Sequence, residues 1–137
     1  MPRVTGILET ALHTRDLPAA AAFYQEVLGL EIVAHEGRLC ALGVAGRSLL
    51  LLFQEGTTGD PVRIPGGLIP PHDSRGSLHF AFSIDAADLP GWERHLSSKS
   101  VVIESRVHWD RGGTSLYFRD LDGHLVELAT PGVWPIY

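Results

Sequence analysis

The sequence lacks the cysteines of a disulfide-bonded protein and the basic residues of a nucleic-acid-binding protein. Cys40 is the only cysteine, so no internal disulfide can form, and its apolar neighbours favour a small buried side chain over a reactive thiol. Lys99 is the only lysine, and the 11 Lys and Arg residues form no basic stripe and are outnumbered by 16 Asp and Glu. We therefore expect no nucleic-acid partner.

Long apolar segments and phosphate-binding loops are lacking as well. The longest apolar run, 49–53, is far shorter than the ~20 residues that span a bilayer. Glu9 and Asp16 interrupt the N-terminus too early for the apolar core of a secretory leader. We expect a cytoplasmic protein with no membrane partner. Gly66 and Gly67 lie among prolines with no helix pattern after them, so they do not indicate a nucleotide-binding loop.

The hydrophobic pattern predicts two similar halves, about 6–54 and 77–131, within one domain of 137 residues. Each half reads as a strand, a helix and three further strands, a βαβββ module. In the first half, Asp16 is suited to cap the helix and Gly29 to end it. A segment rich in Gly and Pro, 55–76, separates the halves and is predicted to be an ordered flap. The expected fold class is α+β, with two modules forming a cupped mixed sheet and the helices outside.

The second half carries the stronger turn signal. Its strands are predicted at 77–84 and 101–106, followed by a hairpin around Asp120–Gly123, because Asp and Gly favour tight turns. The opening strands of the two halves match residue by residue. Aligning the glycines before their last strands places Leu50 over Glu127.

Glu9, His79 and Glu127 are the candidate metal ligands. Glu9 and His79 open matching strands, and Glu127 lies among apolar neighbours on the last strand, where a carboxylate is costly unless it is paired or bound to a metal. Each has a plainer explanation when taken alone: an edge-strand charge, a hydrogen-bonded core histidine, and a glutamate that reaches solvent or an arginine. Together they would converge in the cup, and two carboxylates with one imidazole suit a divalent ion such as Mn²⁺, Mg²⁺, Fe²⁺, Co²⁺, Ni²⁺ or Zn²⁺.

The sequence resembles the vicinal oxygen chelate superfamily over about residues 6–131. The runs that carry the resemblance are Glu9–Leu17, Phe23–Tyr24, Leu28–Leu30 and Asp120–Glu127. This superfamily includes glyoxalase I, fosfomycin-resistance thiol transferases, methylmalonyl-CoA epimerase, extradiol dioxygenases and bleomycin-binding proteins. The resemblance implies a glyoxalase-like fold, a divalent metal ion at Glu9, His79 and Glu127, and a homodimer.

Two positions depart from the patterns of this superfamily. Glu9 stands where histidine is more common, which counts against an oxygen-activating extradiol dioxygenase. Leu50 cannot supply the fourth ligand that glyoxalase I and the epimerase add. The remaining set of three ligands resembles that of the fosfomycin-resistance enzymes, although their basic antibiotic-binding residues have no clear match in this sequence.

Further residues are candidates for moving protons or binding a substrate. His13 shares a strand face with the first candidate ligand and is a candidate general base, as is Glu127. Tyr117 falls where the superfamily often has an active-site tyrosine, and its hydroxyl could bind an oxyanion; a core aromatic is the competing explanation. His72 and Asp73 in the flap could close over a ligand, although an Asx turn explains Asp73 equally well.

We therefore expect a metal-dependent enzyme that acts on a small oxygen-chelating substrate by lyase or isomerase chemistry of the glyoxalase kind. One alternative is a thiol or water transferase like the fosfomycin-resistance enzymes. Another is a non-catalytic protein that binds a flat or cationic drug, like the bleomycin-resistance proteins. Trp134 and Tyr137, near the C-terminus, are predicted to pack on a partner subunit.

Overall fold

The computed structural model describes all 137 residues, and the chain divides into two compact units, Met1–Arg75 and Gly76–Tyr137. Each unit contains one four-stranded mixed sheet and one helix of more than two turns. Both follow the same order of strand, helix and three strands. The α+β class and the repeated βαβββ module predicted from the sequence are thus confirmed.

The first unit is built on a sheet with the strand order β1-β4-β3-β2. Its elements are β1 (Glu9–Thr14), α1 (Leu17–Leu28), β2 (Glu31–Glu36), β3 (Leu39–Val44), β4 (Ser48–Gln54), β5 (Val62–Ile64) and β6 (Gly67–Ile69). β1 runs parallel to β4, and the other neighbours are antiparallel. β5 and β6 form a separate antiparallel hairpin inside the segment 55–76, so the predicted flap contains regular structure that its Gly-rich composition concealed.

Helix α1 begins and ends where its sequence predicts. The Asp16 side chain accepts a hydrogen bond of 3.0 Å from the backbone N–H of Ala19, which satisfies a donor that the first turn leaves free. Gly29 ends the helix with φ of 67°, a left-handed conformation that glycine adopts without steric cost. The face of the helix that is buried consists of Leu17, Ala20, Ala21, Tyr24 and Val27.

The second unit repeats this arrangement with the strand order β7-β10-β9-β8. Its elements are β7 (His79–Ser83), a 3-10 turn (Ala86–Asp88), α2 (Leu89–Ser98), β8 (Ser105–His108), β9 (Thr114–Arg119) and β10 (Leu125–Ala129). β7 runs parallel to β10, and the remaining pairs are antiparallel. Neither α1 nor α2 has the length or apolar run needed to cross a bilayer.

Two predicted strands of the second unit have different bounds. The strand predicted at 77–84 is shorter, and the one predicted at 101–106 begins only at Ser105. The delay follows the end of α2, because Ser100 adopts a left-handed φ of 57° and the N–H of Val101 still bonds back to the Leu96 carbonyl at 2.9 Å. The chain therefore needs several more residues before it can join the sheet.

The strand register corrects the internal alignment of the two halves. Ala11 pairs with Leu51 in the first sheet, and Ala81 pairs with Glu127 in the second, each alanine lying two residues after the start of its strand. The residue equivalent to Glu127 is therefore Leu51 rather than Leu50. The turn between β3 and β4 has three residues and the turn between β9 and β10 has five, so aligning their glycines shifted the register. The corrected equivalent, Leu51, is also a leucine and cannot bind a metal.

Candidate metal centre

His79 and Glu127 meet on one face of the second sheet. His79 is the first residue of β7, and its Cα pairs with that of Leu125, two residues before Glu127 on β10. Side chains two residues apart on a strand share a face, so the imidazole and the carboxylate are diagonal neighbours. The distance from His79 Nε2 to Glu127 Oε2 is 3.2 Å. The structure thus brings together two of the three predicted ligands.

The second ring nitrogen of His79 has a backbone partner. Its Nδ1 lies 3.0 Å from the carbonyl oxygen of Leu125. A carbonyl oxygen can only accept, so Nδ1 carries the hydrogen in this bond, and in the neutral ring Nε2 presents its lone pair to Glu127. A lone pair that faces a carboxylate oxygen requires a cation between them, either a proton or a metal ion. Metal-bound histidines commonly donate their other N–H to a backbone carbonyl in this way.

Glu127 is held on its other oxygen by residues that the sequence analysis missed. Glu127 is only 6% exposed, and its Oε1 accepts a hydrogen bond of 2.5 Å from the hydroxyl of Ser115, which is fully buried. The indole N–H of Trp109 in turn donates to Ser115 Oγ at 2.9 Å. A signal existed in the sequence, since the hairpin turn before β10 fixes which residues of β9 lie beside Glu127.

Tyr117 lies directly opposite Glu127 in the β9–β10 pair, and its ring centroid is 6.1 Å from that of His79. Burial raises the pKa of the Tyr117 hydroxyl above its ordinary value, and the nearby Glu127 carboxylate adds to the shift, while a hydrogen bond with Ser115 opposes it. The phenol therefore stays protonated at neutral pH. Tyr117 is a hydrogen-bond donor beside the pair formed by His79 and Glu127.

Glu9 and His13 belong to the first unit. Glu9 is exposed at the start of β1, on the strand position equivalent to that of His79, and its role as a ligand stays a prediction. His13 is buried, and its two ring nitrogens lie 2.6 Å from Ser74 Oγ and 2.8 Å from Thr58 Oγ1. Both hydroxyls come from the segment 55–76. His13 therefore ties this segment to β1, and its role as a general base stays a prediction.

The flap residue His72 also reaches His13. Its ring centroid is 5.5 Å from that of His13 and 4.8 Å from that of Phe53. Asp73 Oδ1 lies 4.0 Å from His13 Nε2 and also accepts the backbone N–H of the next residue, Ser74, whereas an Asx turn would use the N–H two residues on. The segment around His72 therefore packs against β1 and β4 of its own unit.

Asp120, Asp122 and His124 form another cluster of possible ligand atoms. The hairpin turn explains this cluster without a metal. Asp120 Oδ1 accepts the backbone N–H groups of Asp122 and His124, each at 2.9 Å, which is an Asx-type turn. His124 Nδ1 accepts the N–H of Leu78 at 3.0 Å. His124 therefore has a structural role in the turn.

The aromatic residues near the C-terminus differ from each other. The hydroxyl of Tyr137 donates to the carbonyl oxygens of Ile84 and Ala129, at 3.0 and 3.3 Å, inside its own unit. The predicted contact of Tyr137 with a partner subunit is therefore unnecessary to explain it. Trp134 is 68% exposed, and for this residue the prediction stays open.

The comparisons with known proteins define the class to which this fold and site belong. Residues 6–128 match the family model of the Glyoxalase/Bleomycin resistance protein/Dioxygenase superfamily. The chain belongs to this superfamily, which confirms the resemblance seen in the sequence.

The relatives within the superfamily have different activities in their names. A metallothiol transferase FosB of Staphylococcus epidermidis is 30% identical over 128 residues, which cover 93% of this chain and 82% of the relative. A biphenyl-2,3-diol 1,2-dioxygenase of Rhodococcus globerulus is 34% identical, covering 88% of this chain and 63% of the relative. The crystal structure of a lactoylglutathione lyase from Agrobacterium tumefaciens superposes with a TM-score of 0.88 at 34% identity, covering 98% and 99% of the two chains.

Proposed function

We propose that this protein is a divalent-metal-dependent enzyme whose ion is held by His79 and Glu127, with Glu9 as the third ligand predicted from the sequence. The proposed substrate is a small molecule that chelates through neighbouring oxygens, and the proposed chemistry is that of a lyase or isomerase. The observation that carries the proposal is the 3.2 Å distance from His79 Nε2 to a buried carboxylate oxygen of Glu127, while Nδ1 of the same ring lies 3.0 Å from the Leu125 carbonyl oxygen.

The separation of the two atoms fits a shared ion. Two ligands that each lie about 2.1 Å from a metal and meet at right angles are about 3.0 Å apart. An imidazole nitrogen and a carboxylate oxygen suit Mn²⁺, Fe²⁺, Co²⁺, Ni²⁺ and Zn²⁺, and a purely oxygen-seeking ion such as Ca²⁺ fits this pair less well. The burial of Glu127 supports the same conclusion, because a carboxylate removed from water requires a positive partner.

Residues at and near the pair of His79 and Glu127 have separate proposed roles in the reaction. When bound, a divalent ion acts as a Lewis acid toward an oxygen that gains negative charge. Tyr117 keeps its proton at neutral pH and can donate a hydrogen bond to such an oxygen. Glu127 and His13 are the proposed proton carriers. Both ring nitrogens of His13 contact hydroxyls, so a proton taken up by the ring requires the hydroxyl of Ser74 or Thr58 at that nitrogen to turn and accept.

The lactoylglutathione lyase supports the lyase reading, since it is similar to this chain over nearly its whole length. The pattern of four ligands is not required by the proposal. Leu51 stands at the position equivalent to Glu127 and leaves three candidate ligands. Open positions at the ion would then remain for the substrate oxygens.

A second candidate function is a metal-dependent thiol transferase. The FosB relatives, at 30% identity over 93% of the chain, favour it, and a site with three ligands suits it equally well. The two functions differ in what they consume. Loss of free thiol only in the presence of an electrophile such as an epoxide would support the transferase, and rearrangement or cleavage of one substrate would support the lyase or isomerase.

The finer predictions stay proposals that rest on the resemblance to the superfamily. They are a homodimer, a cytoplasmic location and the non-catalytic alternative, a drug-binding protein. Metal binding separates the last alternative from the enzymes, because drug-binding members typically lack the three-ligand site.

The test is a calorimetric titration of metal-free protein with Mn²⁺ and with Ni²⁺. We expect saturable binding by the wild type and an affinity lower by more than about 100-fold in Glu127→Gln, because the amide keeps the shape but loses the charge. Binding should also stabilise the fold by about 2.7 kcal/mol at a hundredfold excess over Kd.

The matched control is Glu36→Gln, which removes a carboxylate from the exposed end of β2. This variant should bind both ions like the wild type. Wild-type protein that neither binds these ions nor gains stability from them would refute the proposed function, and full affinity in Glu127→Gln would refute the assigned site.

A further inference from the structure

Ser115 and Trp109 form a chain of hydrogen bonds that ends on Glu127. Trp109 Nε1 lies 2.9 Å from Ser115 Oγ, and Ser115 Oγ lies 2.5 Å from Glu127 Oε1. We infer that Ser115 is a positioning residue that holds the Glu127 carboxylate with Oε2 toward the metal, and that Trp109 acts through Ser115. This inference rests on the proposed function, since it assigns a role in metal binding.

The direction of each hydrogen bond follows from the chemistry of the three side chains. An indole N–H can only donate, so the Ser115 oxygen accepts it. The single hydrogen of the Ser115 hydroxyl is donated to Glu127 Oε1, and the Tyr117 hydroxyl lies beside both groups. An ionised carboxylate only accepts, which completes a run of donors from Trp109 to Glu127. Each bond orients the next group.

Burial makes this orientation difficult to replace. Ser115 is fully buried and Glu127 is 6% exposed, so water has little access to Oε1. A hydrogen bond to a charged group contributes more than one between neutral groups. Removing the hydroxyl would take the Ser115 donor away from Oε1, so the carboxylate would be held less firmly in the orientation that faces His79.

The hairpin of β9 and β10 fixes the relative positions of Ser115 and Glu127. Ser115 pairs with Ala129 and Tyr117 pairs with Glu127, so Ser115 is a diagonal neighbour of Glu127 on the adjacent strand. Because Oε1 is engaged by Ser115, only Oε2 is directed toward His79. The carboxylate would therefore bind an ion through one oxygen rather than two.

The test is a double-mutant cycle on Mn²⁺ affinity, measured by calorimetry on the full chain. Ser115→Ala should weaken binding by about 10- to 100-fold, the range found for groups that orient metal ligands. Trp109→Phe, which keeps the ring but removes the N–H, should weaken binding by a smaller factor. The double variant should bind like Ser115→Ala alone, because Trp109 has no route to Glu127 once the hydroxyl is gone.

The control is Ser98→Ala, which removes a hydroxyl that bonds only to the His95 carbonyl on the exposed end of α2. Its Mn²⁺ affinity should equal that of the wild type. Melting curves of the metal-free variants separate positioning from folding, since a merely structural role would lower the melting temperature and leave the Mn²⁺ affinity unchanged.

The measurements distinguish a failure of this inference from a failure of the proposed function. Wild-type affinity in Ser115→Ala, together with lost affinity in Glu127→Gln, would overturn this inference and leave the proposed function standing. Additive effects of Ser115→Ala and Trp109→Phe would overturn the part assigned to Trp109. A wild type that binds no Mn²⁺ would overturn both the proposed function and the inference that rests on it.

Discussion

At the scale of single residues, Glu127 is the position where polarity and burial conflict most. Its neighbours on β10 are apolar and buried, and its own side chain is almost as inaccessible. Burying an unpaired carboxylate is prohibitively costly. Ser115 donates to one carboxylate oxygen, the Tyr117 hydroxyl lies within hydrogen-bonding reach of the carboxylate, and His79 faces the other oxygen. The contact with His79 is stable only if a cation lies between the two groups.

Gly113 illustrates a different constraint close to Trp109. A Cβ atom built on Gly113 would lie 2.5 Å from the carbonyl carbon of Gly132 and 2.6 Å from the nitrogen of Val133. Both neighbours are backbone atoms that cannot rotate away. The close approach of these two backbone segments therefore requires a residue without a side chain.

We predict that Gly113→Ala destabilises the protein by about 1–3 kcal/mol, the usual cost of overpacking a filled site. The matched control is Gly91→Ala on α2, where an added Cβ meets nothing within 4 Å. That variant should be neutral or more stable by up to about 1 kcal/mol, because alanine favours the helix. Urea denaturation measures both, and an equal free energy of unfolding in the two variants would contradict the packing described.

The sequence predicted a site residue only where its type was unusual for its position. A glutamate in an apolar strand and a histidine at a strand start attract attention, and the structure does bring Glu127 and His79 together. A serine in a strand is ordinary, so Ser115 was not found. Only the register set by the hairpin reveals that Ser115 lies beside Glu127.

At the scale of elements, the segment 55–76 is fastened to β1 by polar contacts. Thr58 and Ser74, near its two ends, both contact the ring of His13. The N–H of His72 donates to the Thr58 carbonyl at 3.0 Å, which closes the base of the segment. The hairpin formed by β5 and β6 lies between these attachment points.

We predict that Thr58→Val loosens this segment. The variant keeps the shape of the side chain but removes the hydrogen bond with His13, which contributes about 0.5–1.5 kcal/mol. Amide exchange at His72 should accelerate by about 2- to 10-fold, as measured by hydrogen–deuterium exchange. Asp60→Asn, an exposed change in the same segment, should leave the exchange unaltered. Unchanged exchange in Thr58→Val would show that the hydrogen bond between Thr58 and His13 does not secure the segment.

Local signals predicted the elements that depend on local chemistry. The cap at Asp16 and the helix end at Gly29 were predicted because capping involves only adjacent residues. The start of β8 and the β5–β6 hairpin were missed, because they depend on pairing with residues distant in the sequence. The internal alignment paired Leu50 instead of Leu51 with Glu127 for the same reason. The turns differ in length, and the register is set by strand pairing between distant residues.

At the scale of the whole molecule, two copies of one module carry different chemistry. In the first sheet, Leu51 belongs to an apolar cluster with Ala41 and Phe53. In the second sheet, Glu127 takes the place of Leu51, and its strand partner is Tyr117 instead of Ala41. The repeated fold thus has an apolar cluster at this position of the first sheet and a buried polar network at the equivalent position of the second sheet. The specialisation of the second module is what favours a metal-dependent function over simple binding.

The metal site formed by His79 and Glu127 is tested most directly by pulsed electron paramagnetic resonance of the Mn²⁺-loaded protein, which detects nitrogen nuclei bound to the ion. We predict one imidazole nitrogen coupling in the wild type, its loss in His79→Gln, and its retention in His35→Gln, which changes an exposed histidine on β2. A spectrum without nitrogen coupling, or a coupling that survives in His79→Gln, would contradict the claim that His79 and Glu127 hold the metal together.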